Sequence, residues 1–379
     1  MASSQIVSWF GNVSAENVPK SSDDVLTFHQ FVMFEGILSG ARAVISVLGI
    51  FGNTINIMTF ISMGIKDGFS LSMTLLAGIE LFHVLIIFLR SVAYGLFIVE
   101  YSTQFFTWFP VEPFGLYLYF GHVARLLYTM VVLTTTFLSF ARCMCVSTPL
   151  QFRHMFTTSR SILVLSFVTI ISVGSYVPLL MTMTLSSLFD PRVNSTRLSF
   201  WVSPGREQVR VITGIVRNTS LPLSSQVVIV CCVLHMSQKL KTSVNFRLGL
   251  QSLSPFPKAS VLTIHSQSNS FASEQASDKA KLKSLSGKER RAIQQMVFMS
   301  IVVIICDMPE ILISLISVSV QTFGFRKPLN NFYLTVIGVN YTFQVINTSI
   351  NIAIYWKYSS RYRENCCLTR LPLLDLSPS

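Results

Sequence analysis

The sequence predicts an all-α fold, a bundle of seven transmembrane helices with the N-terminus outside and a short amphipathic eighth helix on the inner surface. Three observations predict it. The 379 residues are 51% hydrophobic and 12% charged, against roughly 25% charged in soluble domains. Mean hydropathy is +0.55, with 30 Phe and 14 Met. Seven apolar stretches are each long enough to cross a bilayer, which takes about 20 residues because lipid offers backbone groups no partner outside the helix.

Residues 1–35 form the first segment, polar and slightly acidic, with Glu16, Asp23, Asp24 and Glu35 against Lys20. The sequon Asn12-Val13-Ser14 makes Asn12 a glycosylation candidate if this end faces the lumen. No basic n-region precedes a short apolar core, so the first span is expected to act as its own signal anchor. The spans are predicted at about 36–63, 69–97, 114–143, 160–185, 211–238, 291–320 and 331–356, together the seven-transmembrane domain 36–356. Residues 243–287 hold eleven serines and few apolar anchors, which predicts a disordered third inner loop. Residues 357–379 form an amphipathic helix and cytoplasmic tail. There Trp356-Lys-Tyr-Ser-Ser-Arg-Tyr-Arg363 alternates aromatic and basic residues, as a helix lying along the inner membrane surface would. Cys366 and Cys367 follow and read either as palmitoylation sites or as free thiols.

Orientation follows from Lys and Arg. With the N-terminus outside, inward segments hold 18 of the 29 basic residues, outward segments eight, and spans the remaining three, Arg42, Arg90 and Arg125. A second sequon, Asn194-Ser195-Thr196, falls in the second outward loop and makes Asn194 a glycosylation candidate. The resulting location is the plasma membrane, crossed several times.

Composition also excludes classes. The net charge of +12 is scattered between apolar runs rather than gathered in one stripe, which argues against nucleic acid. No cysteine lies before position 143 or between 146 and 230, so no outward disulfide framework is expected. No Cys/His spacing suggests zinc, and no metal or cofactor site is expected. No catalytic constellation emerges, so the chain is not read as an enzyme. A transporter would carry corresponding broken helices in two halves, and no such symmetry is visible, but it stays an alternative.

Charges at membrane depth need partners. Arg125 lies about 16 Å into the third span at 1.5 Å per residue, and Glu310 lies at similar depth in the sixth. Asp307 and Glu310 are i, i+3 and share a face. Arg90 sits somewhat higher on the second span, and His122 one turn above Arg125. The expectation is a charged cavity between spans two, three, six and seven, lined by Arg90, His122, Arg125, Asp307 and Glu310. Arg125 is predicted to face Asp307 or Glu310, either as part of a ligand site or as an internal salt bridge. Arginines suit a ligand carboxylate; acids suit an amine or a peptide's arginine.

The order of motifs carries a resemblance. Gly52-Asn53 lies in the first span, Leu75-Leu-Ala-Gly-Ile-Glu80 in the second, and Ala141-Arg142-Cys143 with Pro149 at the end of the third. Pro222 lies in the fifth, Cys306-Asp307-Met308-Pro309 in the sixth, and Asn347-Thr-Ser-Ile-Asn351-Ile-Ala-Ile-Tyr355 in the seventh. Over 36–363 this resembles the rhodopsin-like (class A) G-protein-coupled receptors, with the inner loop Met63–Gly68 most like the expanded molluscan chemosensory-type receptors. The resemblance implies a receptor that binds an extracellular peptide or environmental chemical and activates a heterotrimeric G protein. It implies a polar switch cluster of Asn53, Glu80, Asn347 and Asn351, with Tyr355 and the kink at Pro309 as moving parts. Glu80 then reads either as part of a cation cluster or as a hydrogen-bonded structural glutamate.

Several motifs depart from the family. Ala141 replaces the acid beside Arg142, Asp307 the usual Trp, and Ile352 the usual Pro, while no aspartate occupies the aminergic site at Ala124. Arg142 is predicted either to pair with Glu289 of the sixth helix or to reach lipid phosphates. A seven-span protein that binds ligand without signalling therefore remains an alternative.

Overall fold

The computed structural model describes residues 24–65, 68–147, 157–190, 193–203, 209, 213–252, 287–325 and 327–367. Helix α1 (Phe28–Met63) starts before residue 36 because Thr27 and Gln30 form a capping box, the Gln30 amide donating to Thr27 Oγ1 at 3.3 Å and the Thr27 amide to Gln30 Oε1 at 2.9 Å. This capping supplies partners for orphan N–H groups at the helix start. Residues 28–35 thus belong to the first span rather than to a polar tail. The helix stops at Gly64, whose φ of 82° favours a residue without Cβ.

Helices α2 (Gly68–Ser102), α3 (Pro113–Ser147) and α4 (Thr158–Leu180) follow. The fourth span ends at Leu180, not 185. Beyond it the chain turns into β1 (Met183–Asp190), paired antiparallel with β2 (Ser195–Val202), Met183 opposite Val202 and Asp190 opposite Ser195. This hairpin was not expected. The fifth span opens with a π-helical turn, Ile215–Ser220, and continues as α5 (Leu221–Ser252). After Pro222 in its first turn, α5 meets no proline before Pro255, so the helix runs through residues 243–252, predicted as irregular. The rest of that predicted loop, 253–286, lies outside the described residues.

Helix α6 (Gly287–Ser319) contains Pro309. The seventh span is α7 (Asn330–Ser349) and α8 (Asn351–Tyr358), joined at Ile350. Among the described residues, six helices are long and apolar enough to cross a membrane. The seventh carries Asn340, Gln344, Asn347 and Asn351 and is correspondingly more polar. The short inner helix α9 (Ser360–Asn365) begins after Trp356, because Ser359 caps it by accepting from the Tyr362 amide at 3.1 Å.

The helices close into one bundle. Helix α2 packs between α1 and α3, α7 against α1 and α2, α6 between α5 and α7, and α4 outside α2 and α3. Large apolar side chains face outward, Leu163 of α4 and Val318 of α6 being 70% and 76% exposed. A surface of this kind suits lipid rather than water. Polar groups instead line the seams, where interhelical hydrogen bonds hold membrane helices together at about 0.6 kcal/mol each on average. Asn53 Nδ2 donates to the Thr348 carbonyl at 2.8 Å, joining α1 to α7. The Ser139 and Ser300 hydroxyls meet at 2.9 Å, joining α3 to α6.

At the outer end, none of the seven cysteines forms a disulfide. The hairpin is tied down by Arg197, whose Nη1 donates to Glu100 Oε1 of α2 at 2.7 Å and whose Nε donates to Asp190 Oδ2 at 2.9 Å. All three residues are buried. Strand β2 also meets the segment before α3, the Glu112 amide donating to the Leu198 carbonyl at 2.9 Å. Asn194 sits exposed at the hairpin turn with φ 50°, a conformation asparagine tolerates. Asn12 lies outside the described residues.

Candidate ligand-binding site

The sixth helix sets the site. Asp307 and Glu310 lie one turn apart on α6, flanking Pro309, whose missing N–H removes one helix bond there. Their faces meet α3 and the π-helical turn before α5. That turn has a cause in Pro222. A proline at 222 cannot donate to the Asn218 carbonyl four residues back, and this carbonyl instead accepts from Ser314 Oγ of α6 at 2.7 Å. The widened turn aims Arg217 into the bundle, where it is 3% exposed. Single-turn π segments of this kind are frequent at functional sites.

The resulting cavity lies between α3, α5 and α6 and is partly open, its empty space of about 400 Å³ including the part that meets solvent. Among the described residues, four charged side chains line it: Arg125, Arg217, Asp307 and Glu310. Arg125 Nε lies 3.7 Å from Glu310 Oε1, a charge pair too long for a hydrogen bond. The other oxygen, Glu310 Oε2, accepts from Asn340 Nδ2 at 2.9 Å and Gln344 Nε2 at 2.7 Å. Asp307 is held by neutral donors, Tyr128 hydroxyl at 2.5 Å and Gln226 Nε2 at 2.9 Å. Arg217 donates through Nε to Asn218 Oδ1 at 2.9 Å and stacks on Tyr176, 4.7 Å from the ring centroid. Val132, Leu133, Leu221 and Pro222 supply an apolar wall.

The structure divides the ligand set that the sequence suggested. Arg125, Asp307 and Glu310 come together, and Arg125 faces Glu310, not Asp307. Arg90 belongs to a second cluster, with Arg42 bonded to Glu35 and Arg90 Nη2 3.6 Å from the same carboxylate. Tyr117 hydroxyl donates to Glu35 at 2.8 Å. The Arg90 guanidinium lies between the Tyr117 and Tyr341 rings, 4.0 and 4.1 Å from their centroids. This cavity lies between spans three, five and six, and Arg90 does not line it. His122 is half-buried on α3 and does not line it.

Apart from Pro309, which lies at the cavity between Asp307 and Glu310, the predicted switch residues fall toward the inner half. Asn351 Nδ2 donates to Glu80 Oε1 at 2.5 Å, while Asn347 turns instead to the Tyr128 hydroxyl at 3.2 Å. The Tyr128 hydroxyl thus joins Asn347 of the seventh span to Asp307 in the cavity. Asn53 accepts from Asn56 Nδ2 at 3.3 Å, and Asn56 in turn accepts from the Tyr362 hydroxyl of α9 at 2.6 Å. Tyr355 is buried on Phe60 and Tyr362. The Arg142 guanidinium lies over the Phe69 ring, 3.8 Å from its centroid. The side chain of Glu289, its predicted partner, lies outside the described residues. Cys366 is buried in the inner core and Cys367 half-buried.

Glu35 was missed because it was assigned to the polar N-terminal segment, and Arg217 because it was grouped with the outward charges although the predicted fifth span, 211–238, contains it. The capping box at Thr27 and Pro222 were the signals that could have found them.

A seven-helix membrane bundle enclosing a cavity lined by charged side chains has the build of a membrane receptor. A family model described as serpentine-type seven-transmembrane GPCR chemoreceptor Srx matches residues 43–245, from the first span to the inner part of the fifth. This is more than half of the chain, which belongs to that chemoreceptor family. No curated protein matches the sequence.

Proposed function

We propose that the chain is a plasma-membrane chemoreceptor that binds a small extracellular chemical in the α3–α5–α6 cavity and activates a heterotrimeric G protein through its inner loops. The observation that carries this reading is the position of Asp307 and Glu310, which line the cavity on either side of Pro309. A ligand engaging them acts on the one residue of α6 where the helix has lost a backbone bond, and so biases one packing of the bundle over another. The space left between the lining side chains is small, which favours a small molecule over a peptide. The order of motifs favours a rhodopsin-like switch, with the Tyr128 hydroxyl carrying a change at Asp307 to Asn347.

One observation favours a second reading, a receptor that binds without signalling. Arg142 has Ala141 where an acid is usual, and it rests on Phe69. The two readings separate in a nucleotide-exchange assay on the full chain in lipid nanodiscs with a heterotrimeric G protein and a panel of small chemicals. The proposal expects agonist-driven exchange that is lost when Leu133→Trp fills the cavity. Exchange equally strong in that variant places the ligand elsewhere, and binding without exchange supports the silent receptor.

A further inference from the structure

We infer that the cavity takes a small organic anion, a carboxylate with a short apolar tail, and that Arg217 is the residue that selects it. The inference rests on the reading of this cavity as the ligand site and adds the ligand's charge. Arg217 is buried to 3% exposure, yet its Nη1 has no hydrogen-bond partner. No carboxylate among the described residues forms a salt bridge with it. The acids that share the cavity are engaged elsewhere. Asp307 accepts from Tyr128 and Gln226 through its two oxygens, and Glu310 accepts from Asn340 and Gln344 while facing Arg125.

A buried guanidinium with an unpartnered Nη1 and no salt bridge is costly, and a packed bundle offers cheaper residues for a position that only fills space. An anion entering the cavity supplies the missing partner, and an arginine fork holds a carboxylate by two parallel bonds. Arg125 Nε, also without a hydrogen bond, lines the same cavity. Val132, Leu133, Leu221 and Pro222 then receive the tail. A cationic ligand would meet two arginines and acids already bonded.

The test measures thermal unfolding of the purified full-length chain in low-chloride buffer. The probes are hexanoate and octanoate, the matched hexan-1-ol, methyl hexanoate and hexylamine, and chloride and phosphate alone. The carboxylates are expected to raise the unfolding temperature saturably, and the alcohol, ester and amine are not. Arg217→Gln is expected to weaken hexanoate binding by about tenfold or more, the range for loss of a charged hydrogen bond. Arg217→Lys, which keeps the charge and guards against a folding defect, is expected to weaken it by less. Equal stabilisation by alcohol and acid overturns the inference, as does stabilisation unchanged in both variants, or by chloride or phosphate only. Absence of stabilisation by either carboxylate also overturns it. Carboxylate binding without nucleotide exchange keeps the anion site and removes the signalling role. Exchange driven through this cavity by neutral compounds alone does the reverse.

Discussion

At the residue scale, the outer half of the bundle depends on one carboxylate. Glu35 gathers Arg42, Arg90 and the Tyr117 hydroxyl, and Arg42 Nη1 also donates to the Gly338 carbonyl at 2.8 Å. Gly338 is required for this approach, since a Cβ there would overlap the Glu35 carboxylate. Glu35→Gln leaves two buried guanidinium groups without their counter-charge, a loss on the order of 3–5 kcal/mol for a broken buried pair. The unfolding temperature in detergent is therefore expected to fall well below wild type, and further than in Glu310→Gln, whose partner Arg125 is 12% exposed. Equal stability of Glu35→Gln and wild type would show that the cluster contributes nothing to folding. The sequence announced Arg42 and Arg90 as buried charges in need of partners, but not Glu35, because hydropathy alone places an acid next to a polar tail outside the membrane. Arg217 was hidden by grouping it with the outward charges, although the predicted fifth span, 211–238, contains it. A charge at a span boundary moves in or out by one helical turn, and only local features, the Thr27 cap and Pro222, decide which.

At the scale of elements, the helices were legible because each is an apolar run bounded by polar or basic residues. The β1–β2 hairpin was not, since the first residues of β1, up to Leu185, read as the end of the fourth span and the pairing partner lies beyond a turn. What holds the hairpin is also non-local, as Arg197 meets a glutamate 97 positions earlier. This buried triad takes the place of a disulfide at the outer face. Arg197→Ala removes the buried cation that joins Glu100 to Asp190, so the hairpin should loosen while the helices stay folded. Hydrogen–deuterium exchange is expected to speed up across 183–202 and to remain slow in α2 and α3. Unchanged protection in the hairpin would mean that its backbone pairing suffices.

For the whole molecule, fold and location followed from the sequence because lipid imposes so few solutions on a spanning chain. The site did not follow as directly. Depth along a helix is readable at 1.5 Å per residue, and it correctly brought Arg125 and Glu310 to one level. Rotation about the helix axis is not readable from depth, which is why Arg90 turns toward Glu35 and Tyr341 while Arg217 turns into the cavity. Every role assigned to a buried charge presupposes that the hairpin faces outside and the long segment after α5 faces inside. Topology mapping in intact cells tests this most directly, using the exposed sequon at Asn194 and an epitope inserted at Ser270. The account predicts a glycan on Asn194 that is lost in Asn194→Gln, with the epitope detected only after the membrane is permeabilised. An epitope reached by antibody on unpermeabilised cells that also carry the Asn194 glycan would put both positions on one side and contradict the seven-span receptor.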